Sequence, residues 1–129
     1  MSCCLDSWAV LSWLDGDEPA AQAVDEVLAR ERPAMSWINL VEVHYRTARD
    51  HGKAEADRVL DELRPQINEH LPGVAAMRAA AELKAQHPMA LADCFAVALA
   101  AAQGAALLTG DPEILDAGEQ LPCDLKDLR

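Results

Sequence analysis

The sequence predicts an α/β sandwich built on a mainly parallel sheet. Short apolar runs alternate along the chain with longer amphipathic stretches, and prolines and glycines fall between these segments as punctuation. Hydrophobic residues make up 51% of the chain and aromatics only 4%, so Ala, Leu and Val must build the core, and Ala-rich segments favour helix. Strands alternating with helices in this way give layered folds with a parallel sheet. With 129 residues the chain is expected to form a single domain over 1–129, and a charged fraction of 26% is ordinary globular usage that excludes disorder.

The elements follow in order. A short uncharged run over 2–5 ends at Asp6 and is followed by an apolar turn over 8–11. Pro19 sits where a first helical turn tolerates it, and 20–30 has the spacing of an amphipathic helix. Pro33 resets the chain before a strand over 34–37. Asn39 is read as the N-cap of a helix reaching about residue 50, with Gly52 just beyond its end. A helix over 53–63 is stopped by Pro65, and 67–71 gives a weak strand signal diluted by Asn68, Glu69 and His70. Helices follow over 73–86 and 89–103, closed by Pro88 and Gly104. A buried strand over 105–108 runs into the turn Thr109-Gly110-Asp111-Pro112 and a short helix, and 121–125 is assigned to a last edge strand.

The charge balance narrows the function classes. Eleven Lys and Arg face 22 Asp and Glu, a formal charge of −11. Such a surface repels bulk nucleic acid and anionic membranes and attracts cations or a basic protein. Activity on nucleic acid would need a divalent metal at the point of contact. Cys3, Cys4, Cys94 and Cys123 form no C-x-x-C pair and no zinc-type spacing with histidine, which fits a reducing compartment. No run approaches the ~18–20 apolar residues that span a bilayer. Asp6 interrupts the first apolar run, which lacks a basic leader, so a cytoplasmic location without membrane contact is expected.

The informative residues are carboxylates set in apolar sequence. Asp6 is the only charge between Met1 and Leu14, Glu42 between Met35 and Val43, and Asp93 between Met89 and Ala102; Asp111 directly follows Ala-Ala-Leu-Leu-Thr-Gly. A carboxylate in a low-dielectric interior costs several kcal/mol unless it is paired, hydrogen-bonded or metal-bound. Plain alternatives stand beside this reading: Asp6 and Asp111 as helix N-caps, and Glu42 paired with Arg46 at i,i+4 spacing. Asp93 has none, because it lies four or five residues into its expected helix with Met89 and Val97 as i−4 and i+4 neighbours. If the four converge, an oxygen-only ligand set selects Mg²⁺ or Mn²⁺ over zinc.

These residues carry a resemblance. Leu5-Asp6-Ser7, Ser36-Trp-Ile-Asn39-Leu-Val-Glu42, Leu91-Ala-Asp93-Cys-Phe-Ala-Val-Ala and Leu107-Leu-Thr-Gly-Asp111-Pro-Glu resemble, in order and approximate spacing, the PIN-domain nucleases. Within that family they are most similar to the VapC-type toxins of toxin–antitoxin pairs. The resemblance spans essentially the whole chain. It implies a three-layer α/β/α fold with a central parallel sheet of about five strands, and metal-dependent cleavage of RNA by an activated water. Asp6, Glu42, Asp93 and Asp111 fall on the family's acidic positions and would hold Mg²⁺ or Mn²⁺. Ser7 and Thr109 match small hydroxyl positions that can support a carboxylate. Asn39 stands where Ser or Thr is usual, and Glu113 is a further acid nearby with a helix-start role of its own. A cognate antitoxin and a homodimer are also implied, and the charge of −11 agrees with a basic partner peptide.

Five basic residues, Arg46, Arg49, Lys53, Arg58 and Arg64, share the segment 44–64 with five acids. Arg46 and Arg49 are the candidate RNA phosphate contacts, set against ordinary solvated helix pairs. Trp8, Trp13 and Tyr45 are candidate contact or core aromatics. Other readings keep the fold and change the activity, giving an RNA-processing or structure-specific DNA nuclease, or a non-catalytic PIN-like binding module. A haloacid-dehalogenase phosphatase would need an acid where Trp8 stands, and a dinucleotide fold would need a Gly-rich turn after the first strand, which is missing.

Overall fold

The computed structural model describes residues 2–129. Strands β1 (Cys3–Leu5), β2 (Ala34–Ser36), β3 (Asn68–His70), β4 (Ala106–Thr109) and β5 (Leu125–Asp127) form one sheet in the order β3-β2-β1-β4-β5. Every pairing is parallel, so the mainly parallel sheet expected from the sequence is fully parallel. Helices α1 (Ser7–Asp15), α2 (Ala20–Arg30), α3 (Trp37–His51), α4 (Lys53–Leu63), α5 (Val74–Gln86), α6 (Leu91–Gln103) and α7 (Pro112–Ala117) make the connections.

Both faces of the sheet are covered, and the period-two alternation of the strands divides the core between them. Cys3 and Leu5 of β1, Met35 of β2 and Leu108 of β4 join Val10, Val24, Val27, Leu40, Val43 and Leu63 of helices α1 to α4. Their neighbours Cys4, Ala34 and Leu107 point the other way, into Leu83, Val97, Ala100 and Ile114 of α5 to α7. The result is the three-layer α/β/α arrangement, with small Ala side chains letting α6 pack closely on the sheet.

Four boundaries differ by two residues or more from the sequence-based expectation, each for a local reason. The apolar turn after Asp6 is a full helix, because the Asp6 side chain accepts the Ala9 N–H at 2.8 Å and caps it. Helix α3 begins three residues before its expected start: Ser36 is the cap, accepting the Ile38 N–H at 3.2 Å. Asn39 is therefore not an N-cap but a buried residue inside the helix. Helix α6 begins at Leu91 rather than Met89, which places Asp93 in its first turn. The last strand lies over Leu125–Asp127 instead of 121–125, since Pro122 offers no N–H to a ladder and pairing starts only where Leu107 N donates to the Asp124 carbonyl at 2.9 Å. Gly104, at φ 60°, ends α6 in the left-handed conformation that favours glycine.

Leu40 is fully buried in the layer of α1 to α4, whereas Leu71 is 82% exposed. Leu40→Ala is expected to lower unfolding free energy by about 2–5 kcal/mol, and Leu71→Ala to change it by no more than about 0.5 kcal/mol. Urea titration of the two variants checks the pair.

Candidate active site

The chain lays down β1, then β2 and β3 outward on one side, and returns across the sheet to place β4 on the other side of β1. The carboxyl ends of β1 and β4 thus flank a topological switch point, where parallel α/β sheets open a crevice. Leu5 is in register with Leu108, so Asp6 and Thr109 leave the sheet side by side. The Thr109 hydroxyl donates to Asp6 Oδ2 and accepts the Asp111 N–H at 3.0 Å. Asp111 in turn caps α7, accepting the Glu113 N–H at 2.9 Å.

Asp93 lies in the first turn of α6, in the same layer as α7. It is 6% exposed, and its Oδ2 is buried without a hydrogen-bond partner among the described residues. One oxygen each from Asp93, Asp111 and Glu113 lies within 4.8 Å of the others. Glu113 also braces the start of α6, its Oε2 accepting the Ala90 N–H at 3.1 Å. Half-buried Glu42 projects from α3, and its charge reaches both Asp6 and Asp93. No ion pair joins Glu42 to Arg46 among the described residues, so the helix-pair alternative is not realised.

Burial pushes the Asp6 carboxyl up to about 7 against the pull of its bonds from Thr109 and Ala9, and the charges of Asp111 and Glu42 add to the rise. Burial likewise raises Asp93 to about 7, followed by the repulsion of Asp111, Asp6, Glu42 and Glu113. The charges of Asp6, Glu42 and Asp111 all act on Asp93. Only Asp93 and Asp111 of the four sequence-selected acids fall in the close cluster, where Glu113 is the third member; Asp6 and Glu42 do not. An oxygen-only donor set with one buried, partnerless carboxylate oxygen fits a hard divalent cation such as Mg²⁺ or Mn²⁺. The turn that carries Asp111 is held from outside. A Cβ on Gly110 would land inside the Trp8 ring, so the indole and the glycine backbone are in direct contact.

A family model described as PIN domain matches residues 3–120. The chain belongs to the PIN domain family. A comparison with curated protein sequences gives no significant match. Among solved structures this PIN domain is similar to a chain in the crystal structure of VapBC2 from Rickettsia felis bound to a DNA fragment from their promoter, at 16% identity, TM-score 0.77 and 100% coverage of both chains. It is similar to a chain of DNA-bound VapBC from Salmonella typhimurium, at 15% identity and TM-score 0.76, over 100% of this chain and 99% of that one. It is also similar to a chain of VapBC-1 from nontypeable Haemophilus influenzae, at 21% identity and TM-score 0.68, over 99% and 98%.

Of the remaining sequence candidates, several lie away from this PIN-domain cluster. Thr109 supports a carboxylate as expected. Ser7 does not: its hydroxyl accepts from Asn39 Nδ2 at 3.0 Å and donates to the Asn39 carbonyl at 3.4 Å. Arg46 lines a separate cleft between α1, α3 and α4 with Asp15, Asp50 and Glu55, and the Arg49 guanidinium lies over the Tyr45 ring at 4.8 Å. Trp13 donates to Asp25 at 2.6 Å. Sequence reasoning undervalued Glu113 and misplaced Asn39. The legible signal for Glu113 was its position two residues after Asp111, at the start of a Pro-initiated helix.

Asp6 and Asp93 have folded values of about 7 against an ordinary 3.8, so between those limits the folded protein holds more protons than the unfolded chain. The stability contributed by their neutral forms is complete below 3.8 and is lost as pH rises through about 7. In EDTA the melting temperature should therefore fall from about pH 5 to about pH 7.5, and Asp6→Asn should flatten that slope. A wild-type profile that is level or rising in differential scanning fluorimetry would contradict the electrostatic account.

Proposed function

We propose that this PIN domain, acting as one unit over residues 1–129, is a Mg²⁺- or Mn²⁺-dependent endoribonuclease and the toxin of a type II toxin–antitoxin system. The observation that carries the reading is the crowding of Asp93, Asp111 and Glu113 beside the switch point, with Asp93 Oδ2 buried and partnerless. Asp93, Asp111, Asp6 and Glu42 would hold the ion, with Glu113 as an additional oxygen. A bound divalent cation supplies there an acidified water and positive charge against a phosphodiester. Asp6 is fixed by Thr109 and the Ala9 N–H and keeps its place in the cluster. Thr109 couples it to the backbone of Asp111. The N-termini of α1, α6 and α7 all meet this crevice and offset part of its negative charge.

RNA is the substrate in this reading, reached despite a net charge of −11 only where the metal and helix ends relieve it. The same charge favours a basic antitoxin segment as partner, in keeping with the VapBC complexes whose chains share this fold. A homodimer and a cytoplasmic setting belong to the proposal. No described helix is long and apolar enough to cross a membrane.

Purified protein should cut total RNA with Mg²⁺ or Mn²⁺ and stop in EDTA. Asp93→Asn should cut at least ~100-fold more slowly, at or beyond the ~10–100-fold cost of losing an outer partner of a metal ligand. The same substitution replaces a crowded acid with a neutral amide, so it should raise the melting temperature in EDTA at about pH 7.5 and exclude unfolding as the cause. Equal cutting by wild type and Asp93→Asn would overturn the assignment.

A further inference from the structure

Asn39 is fully buried, and its side chain bonds to the segments on either side of it. Its Nδ2 donates to Ser7 Oγ at 3.0 Å and to the Ala92 carbonyl at 3.2 Å, and the Ser7 hydroxyl returns a bond to the Asn39 carbonyl at 3.4 Å. Ser7 follows Asp6, Ala92 precedes Asp93, and Asn39 lies three residues before Glu42 on one helix. One amide therefore joins three chain segments, and each carries one of the acids. The bonds bridge 32 and 53 residues of sequence.

The amide is not explained by stability alone. Its Oδ1 is buried without a hydrogen-bond partner among the described residues, an unfavourable state that a leucine of similar size would avoid. Two hydrogens and two acceptors are matched, while the oxygen is left over. That balance makes sense where the separation of α1, α3 and α6 must be fixed against the mutual repulsion of Asp6, Glu42, Asp93 and Asp111. We infer that Asn39 is a positioning residue of the metal centre: it clamps α1 and α6 to α3 at the spacing the carboxylates need to share a divalent cation. This inference rests on the metal-dependent reading above.

The test is Mn²⁺ binding, followed by the electron paramagnetic resonance signal of the free ion, without any turnover. Asn39→Leu keeps the branched heavy-atom outline and removes both bonds; its Mn²⁺ affinity should fall by ~10-fold or more, the cost typical of outer partners of metal ligands. Ser7→Ala, which leaves the fold unburdened, should lose less, about threefold, and should add little once Asn39→Leu is present. Val27→Ala, a buried change in α2 away from the crevice, serves as the stability control and should bind Mn²⁺ as wild type does. If Asn39→Leu does not fold, Asn39→Ala and Ser7→Ala carry the same comparison. Affinities within twofold of wild type in the folded Asn39 and Ser7 variants would overturn the clamp, as would an equal loss in Val27→Ala. Wild-type protein that binds no Mn²⁺ would overturn the clamp and the functional reading together. Weakened Mn²⁺ binding in Asn39→Leu beside a wild type that leaves RNA intact would support the clamp and remove the ribonuclease reading alone.

Discussion

Carboxylates crowded at the carboxyl ends of β1 and β4 repel one another, and much of the surrounding architecture answers that repulsion. Asp6 is fully buried, and its two oxygens are engaged by Thr109 and by the first turn of α1. Asp93 sits in the first turn of α6 and Asp111 caps α7, so three helices turn their positive ends toward the same crevice. Burial, followed by the neighbouring carboxylates, still holds the Asp6 and Asp93 carboxyls far above their ordinary range despite these dipoles. A small domain tolerates such a centre because the rest of its core is conventional. Two apolar layers on a five-stranded sheet hold the crevice open from below.

The same constraint orders the details around the centre. Gly110 has no side chain because Trp8 occupies the space, and the indole thereby fixes the backbone between Thr109 and Asp111. Glu113 does double service, lending an oxygen to the cluster while accepting the Ala90 N–H that begins α6. Asn39 does for α1, α3 and α6 what Thr109 does for β1 and β4. Each link joins one acid-bearing segment to another, so loosening any one of them shifts a carboxylate relative to its neighbours.

A net charge of −11 leaves any attraction for an anion confined to small areas of the surface. The excess of acids is spread over the chain, and residues 1–31 alone carry seven acids against one Arg. Arg46 faces its own cleft beside Asp15, Asp50 and Glu55, while Arg49 is stacked on Tyr45. The basic residues of 44–64 are thus largely committed to local pairs on α3 and α4, among them Arg58 with Glu62 at 2.8 Å and His44 with Asp57 at 2.8 Å.

The isolation of Asp6, Glu42, Asp93 and Asp111 in apolar sequence marked them before any fold was known, because a lone charge in a buried run demands a reason. The parallel sheet was equally legible, since short apolar runs alternate with helical stretches, whereas the three-layer arrangement came with the family resemblance. Other features had no local signature. Ser36 and Asn39 are both good capping residues three positions apart, and which one caps α3 depends on where β2 releases the chain. Once Ser36 takes the cap, Asn39 turns inward and meets Ser7 and Ala92, partners that only packing of three helices can supply. Glu113 looked like a helix-start residue and is one, but the approach of α7 to α6 also brings it to Asp93. Sequence marks which side chains need an explanation through burial and periodicity; distance across the chain, and with it every bond between segments, comes from how the layers pack.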